Sequence, residues 1–337
     1  MKPQDEVVVN ENLLMESNRE KESVTKTFNV GAYHSLDETY KWMDQLAKKN
    51  SDLVTRIYMK KSSMGNPLTT GPNKPAIWIE CGSIARDWIS VSTGIWIANK
   101  TVTDRNDVSN ILNFMDIYLV IVANPDGYDY SQKEDRFWSK TRMSYGSVSC
   151  PGVCLDRNWL PSLQKDAQPD RFSFYNPCSH HYPGIFALSE MEAANMAEFI
   201  KAHGNVQLLL SLQSYKPRIM FPPGHNCEQM HNKTQSLKNV AKATAKSLFL
   251  RYGTKYRVGS LCRIRAPEVS SVIDWAYENH IKYSFVFGLR DYRGHGFLTP
   301  YHQIIPIATE TWAGLKQIMA SVMLRLRDDQ ALDSMHL

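Results

Sequence analysis

Short apolar runs alternate along this chain with longer stretches of helical periodicity. Residues 76–80, 117–122, 206–212 and 283–289 are nearly unbroken in apolar side chains and bounded by polar or turn-forming residues, a pattern that predicts buried strands. Over 36–49, Leu36, Tyr40, Met43 and Leu46 fall at helical spacing, and Ser35 stands just before them as an N-cap. Residues 88–100, 189–202, 236–252 and 309–325 also read as helices. The tetrad Asn124-Pro125-Asp126-Gly127 reads as a turn closing the second apolar run. Strands alternating with helices of ten or more residues predict an α/β fold, its central sheet covered on both faces. No linker or repeat divides 27–325, which reads as one domain. Residues 1–26 are polar and read as a flexible leader with room for one short helix, and 326–337 as a C-terminal tail.

Composition narrows the function classes. With 43% hydrophobic and 22% charged residues in 337, the chain is an ordinary globular one, expected to be a monomer. A net charge of +5 without any Lys/Arg block argues against nucleic acid as a partner. No apolar run approaches the roughly 18 residues that span a bilayer, so no membrane partner is expected. The first residues lack the charged and apolar regions of a signal peptide. The six cysteines show no CxxC spacing, which excludes a zinc knuckle, and spacing leaves their pairing open.

The chemistry concentrates in a series of motifs. Gly82, Arg86, Trp88 and Ile89 fit the pattern G-[IV]-H-[AS]-R-E-W-I, with Ile84 and Asp87 at its His and Glu. Tyr33-His34-Ser35-Leu36-Asp37-Glu38, Asn124 to Tyr128, Arg136 to Arg142, Asp156-Arg157-Asn158-Trp159 and Ser214-Tyr215 follow in order. So do Ile273 to Tyr277, Ile281 to Phe285, Leu289-Arg290-Asp291, Gly296-Phe297-Leu298 and Gln303 to Pro306. Over 27–319 the chain resembles the zinc carboxypeptidases of the pancreatic A/B type. The resemblance implies a single-domain α/β fold, a mixed twisted β-sheet flanked by helices on both faces, and zinc as the family's cofactor. It makes 1–26 a remnant of an activation segment and pairs Cys150 with Cys178 and Cys227 with Cys262. Those bridges, with the sequons at Asn99 and Asn232, imply a secreted ancestry.

Set against that pattern, the catalytic positions are altered together. Zinc peptidase chemistry needs three protein ligands and a bound water. The two His ligands stand here as Ile84 and Gln213, and the Glu ligand as Asp87. The general base is Gly288, the oxyanion-stabilising Arg is Ser139, and the mobile Tyr falls at Ala266. A hydrocarbon and a neutral amide beside one carboxylate are not expected to hold zinc. After Pro67 the chain is shorter than the pattern by several residues, which predicts a lost or stunted strand beside the site.

Other positions survive. Arg157 stands where the family grips the substrate's terminal carboxylate, a task suited to a bidentate guanidinium. Arg86, Tyr215 and Phe297 belong to the same surroundings, and Ile273 occupies the position that selects an apolar side chain. Asp156 replaces an Asn; its charge would repel a carboxylate, or close on Arg157 as an ion pair. His34 with Asp37 and His225 with Glu228 fit H-x-x-[DE], a form expected by chance at this composition. His180-His181 lies near the pocket rim as a polar loop. The reading that follows is a carboxypeptidase-like protein without catalytic or metal-binding residues and with no cofactor, binding peptide C-termini or a protein partner. The alternative is an active zinc metallocarboxypeptidase with a rebuilt site, removing apolar C-terminal residues.

Overall fold

The computed structural model describes residues 11, 13, 15–21, 27–59, 74–144, 150–159, 176–224, 227, 234–265, 271–291 and 294–335, with side chains to 328. The site expectations at Ala266, His225 and Glu228, the sequon at Asn232, and the shortened segment up to 73 lie outside the described residues.

The strands β1 (Ala76–Cys81), β2 (Asp116–Val120), β3 (Val206–Gln213), β4 (Arg218–Phe221), β5 (Arg257–Ser260) and β6 (Tyr283–Gly288) form one mixed sheet among the described residues. Their order is β2-β1-β3-β6-β4-β5. β2, β1, β3 and β6 run parallel, and β4 turns antiparallel against β6. The longer helices are α1 (Leu36–Lys49), α2 (Trp88–Thr103), α3 (Pro125–Lys133), α4 (Met191–His203), α5 (Gln235–Tyr252), α6 (Val272–Glu278) and α7 (Ile304–Met335).

Side-chain alternation divides the core in two. One face carries Ile77, Ile79, Leu208, Leu210, Phe285 and Phe287, packed with Val91 and Ile95 of α2 and Leu315 and Ile318 of α7. The other carries Trp78, Leu209, Met220 and Val286, covered by α4 and α6 through Met196, Ile200 and Trp275. This is the α/β layering expected, helices on both faces of a central sheet.

Several boundaries differ from expectation for identifiable reasons. α1 forms as read, and Ser35 is its N-cap in a full capping box with Glu38. The tetrad 124–127 is not a free turn. Asn124 caps α3 by accepting from Gly127 N–H at 3.1 Å, and Pro125 takes the first helical position, where its missing N–H costs nothing. β2 is half-buried along its length because it lies at the sheet edge, not in the centre. β4 and β5, four residues each, are too short for their periodicity to stand out. α7 runs well beyond the expected 309–325 at both ends.

Within the leader, residues 15–21 are helical. Glu11 is buried against Arg136, with Oε2 2.8 Å from Nε. Arg136 also donates to the carbonyls of Arg86 (2.9 Å) and Phe297 (2.8 Å), and lies 3.7 Å over the Trp88 ring. This segment is therefore tied, through Arg136, to the β1–α2 connection that leads into the candidate site.

Candidate functional site

Several motif residues singled out in the sequence meet at the C-terminal ends of β1, β3 and β6, where parallel α/β sheets commonly place their chemistry. Asp87 ends the β1–α2 connection and caps α2. Its Oδ1 accepts from Ser90 N–H at 3.3 Å and its Oδ2 from Ser214 N–H at 2.6 Å, so the carboxylate clamps the end of β3 to the start of α2. Burial pushes its pKa up to about 6, against the lowering effect of those donors.

Gln213 is the last residue of β3 and is fully buried. Its Nε2 donates to Asp156 Oδ1 at 2.7 Å and to Ser211 Oγ at 3.1 Å. Its Oε1 accepts from Arg265 Nη2 at 2.6 Å, and Arg265 Nη1 lies 3.5 Å from Asp156 Oδ2. Amide, carboxylate and guanidinium thus close a three-membered polar ring. The charge on Asp156 is met by Arg265, a partner that the sequence spacing did not reveal. Sequence reasoning missed Arg265 because it stands 52 positions from Gln213 and in no recognised motif.

Glu80 lies beside this ring. It pairs in register with Ser211, on the face that also carries Gln213, and it is fully buried. Burial, then the nearby Asp156 charge, pushes its pKa to about 8, with Ser211 pulling the other way. Near neutral pH Glu80 is chiefly a neutral acid.

Gly288, at the end of β6, faces Gln213 on one side and Arg218 on the other. A Cβ there would stand 2.5 Å from the Lys216 carbonyl oxygen and 3.1 Å from Arg218 N. The backbone entering β4 therefore occupies the space that any side chain at 288 would need. Ser139 is buried, and its hydroxyl pairs with His180 Nδ1 at 3.0 Å.

The donor set does not fit zinc. Ile84 offers hydrocarbon, both oxygens of Asp87 accept from backbone N–H groups, and both ends of the Gln213 amide are engaged. Among the described residues no group of three His, Cys, Asp or Glu is placed to hold a metal ion. Position 288, where the resemblance expects a general base, is a glycine with no proton acceptor in a side chain.

The positions that the resemblance gives to substrate recognition lie around this ring. Arg157 ends the short helical turn Leu155–Arg157, and Asn158 anchors the next residue through Pro183, Ser189 and Glu190. Arg86 donates to the Phe137 carbonyl at 3.2 Å and lies 4.6 Å over the Phe297 ring, which meets the exposed Tyr215 edge-on at 5.0 Å. His181 stands near Arg157, His180 and Arg86; burial first, then these charges, lowers its pKa to about 4. Ile273 does not join them. It is fully buried in the second core cluster and presents no surface to a ligand.

The bridges Cys150–Cys178 and Cys227–Cys262 both form. The first ties the segment entering Arg157 to the one carrying His180 and His181. Cys81 and Cys154 take part in neither bridge. His34 is stacked 3.9 Å from Phe28 and bonded to the Asn29 carbonyl.

A family model described as zinc carboxypeptidase matches residues 39–314. Over 313 residues the chain is 41% identical to carboxypeptidase A2 of Mus musculus, covering 90% of this chain and 73% of that protein. It is 40% identical to carboxypeptidase A1 of Bos taurus, covering 90% and 73%. The structure of bovine thrombin-activatable fibrinolysis inhibitor, in complex with tick carboxypeptidase inhibitor, superposes with a TM-score of 0.78. That match has 29% identity and covers 88% of this chain and 99% of that one.

Proposed function

The chain belongs to the zinc carboxypeptidase family, and from that premise we propose that it is a non-catalytic member, one that binds the C-terminal ends of peptides or of a protein partner without cleaving them. The single observation that carries this reading is the state of Gln213. Its amide is consumed at both ends by Asp156 and Arg265, at the position the family resemblance gives to a metal ligand. The crowding at Gly288 supports the same reading, because the general-base position holds no side chain and has no room for one.

Retention of the recognition residues supports binding. Arg157 and Arg86 supply guanidinium groups suited to a carboxylate, and Tyr215 and Phe297 offer an aromatic wall beside them. Asp156 does not oppose an incoming carboxylate at full strength, since Arg265 and the Gln213 amide face its charge. An active peptidase would need new metal donors, and the polar groups nearest the site are already engaged with one another.

The test uses one peptide ending in Phe, as the free acid and as the C-terminal amide, with zinc supplied in excess. The expected result is no hydrolysis above the protein-free control, and binding of the acid but not of the amide. Turnover of the free acid overturns the non-catalytic reading, and equal binding of both forms overturns terminal-carboxylate recognition.

A further inference from the structure

Three adjacent strand positions define the floor of the site. Gln213, Gly288 and Arg218 lie side by side in the registers of β3, β6 and β4, on the sheet face that carries Leu209, Val286 and Met220. The middle position has no side chain. Arg265 reaches Gln213 from outside the sheet and lies within electrostatic reach of Arg218. A region that the family resemblance assigns to a cationic metal and an acidic base thus carries two guanidinium groups.

Among the described residues the positive charge there is only partly balanced. Asp156 faces Arg265, whereas Arg218 has no carboxylate partner among the described residues. Among the described residues, Arg86 bonds a carbonyl and lies over an aromatic ring, and its buried Nε has no acceptor. Burial holds Arg86 and Arg218 below the usual guanidinium range, with the neighbouring Arg265 and Arg257 adding to the effect at Arg218. Packing like charges together is unfavourable until an anion arrives. With Ile273 sealed in the core, the side-chain end of the site is basic rather than apolar.

We propose that the preferred ligand is a peptide whose C-terminal residue is itself acidic, Asp or Glu. Its α-carboxylate meets Arg157 and Arg86, and its side-chain carboxylate meets Arg265 and Arg218. The proposal rests on the reading above that the site holds peptide C-termini. It replaces the apolar preference that Ile273 suggested with a requirement for a second negative charge. Two separated guanidinium pairs match two carboxylates, each able to accept paired N–H bonds.

The experiment titrates the full chain with three peptides identical except for a final Glu, Gln or Phe. The Glu peptide is expected to bind at least about tenfold more tightly than the other two, as a site built around a buried polar partner should discriminate. Arg218→Gln, at a half-buried position outside the Gln213 ring, is expected to erase the preference for Glu over Gln, with its thermal melt checked against the parent. The His181 imidazole resonance is expected to move to higher pKa on binding the Glu peptide, as an anion offsets the surrounding cations. Equal or tighter binding of the Phe peptide overturns the acidic preference while leaving C-terminal binding standing. Failure of all three peptides to bind removes the reading on which the preference rests.

Discussion

Gln213 donates to Asp156 at 2.7 Å while the same amide accepts from Arg265 at 2.6 Å. A buried side chain used at both ends cannot be lost cheaply. Gln213→Leu leaves a carboxylate and a guanidinium with unfilled bonds in a site where water is scarce. The expected loss is about 2–3 kcal/mol of folding stability by urea denaturation, typical of hydrogen bonds to charged partners. An unchanged midpoint would mean that the ring contributes nothing.

Gly288 is required by space rather than by backbone conformation. With the Lys216 carbonyl oxygen 2.5 Å from the place of a Cβ, even alanine must push the start of β4 aside. Gly288→Ala is expected to cost about 1–3 kcal/mol, in the range of overpacked positions, and Gly288→Glu more. Thermal melts of both variants check this, and a neutral alanine would show that β4 yields freely.

Glu80 makes stability depend on pH in a defined direction. The folded chain keeps its proton up to about 8, whereas the reference value for a free carboxyl is 4.5. Folded protein therefore binds the proton where unfolded chain has released it, so stability falls as pH rises through that interval. Asp87 acts in the same direction only up to about 6, and the depressed His180, His181 and His203 act oppositely only below 6.5. Between pH 6.5 and 8 the Glu80 contribution stands out at ~2 kcal/mol. Glu80→Gln is expected to flatten the melting temperature across that window. A slope unchanged by the substitution would assign it elsewhere.

Much of the site was legible in the sequence, and the limits have physical causes. Ile84, Asp87, Gln213 and Gly288 could be recognised because each stands inside a short motif whose other members survive. What Gln213 does could not be read, since its partners arrive through the fold from 57 and 52 residues away. The strands at 76, 206 and 283 were visible as central, continuously apolar runs. β2 looked equally buried in sequence, but an edge position leaves one side uncovered. Ile273 matched a pocket position by motif, and the packing of α6 against the sheet turned it inward.

Glu11 holds the leader to the domain through Arg136, a pair with both side chains buried. Removing one member of such a pair leaves the other charge uncompensated. Glu11→Ala is expected to release the leader helix and to speed tryptic cutting at the exposed Arg19 and Lys21. Cutting at the parent rate would show that other contacts hold the segment.

The central claim is that a zinc carboxypeptidase fold here carries a polar ring in place of a metal site. Titration of the purified full chain with zinc, read as bound metal per chain after dialysis, tests it most directly. No stoichiometric zinc is expected in the parent chain, and none after Gln213→His alone, because Ile84 remains and both oxygens of Asp87 stay engaged by backbone N–H groups. One tightly held zinc per parent chain would contradict it.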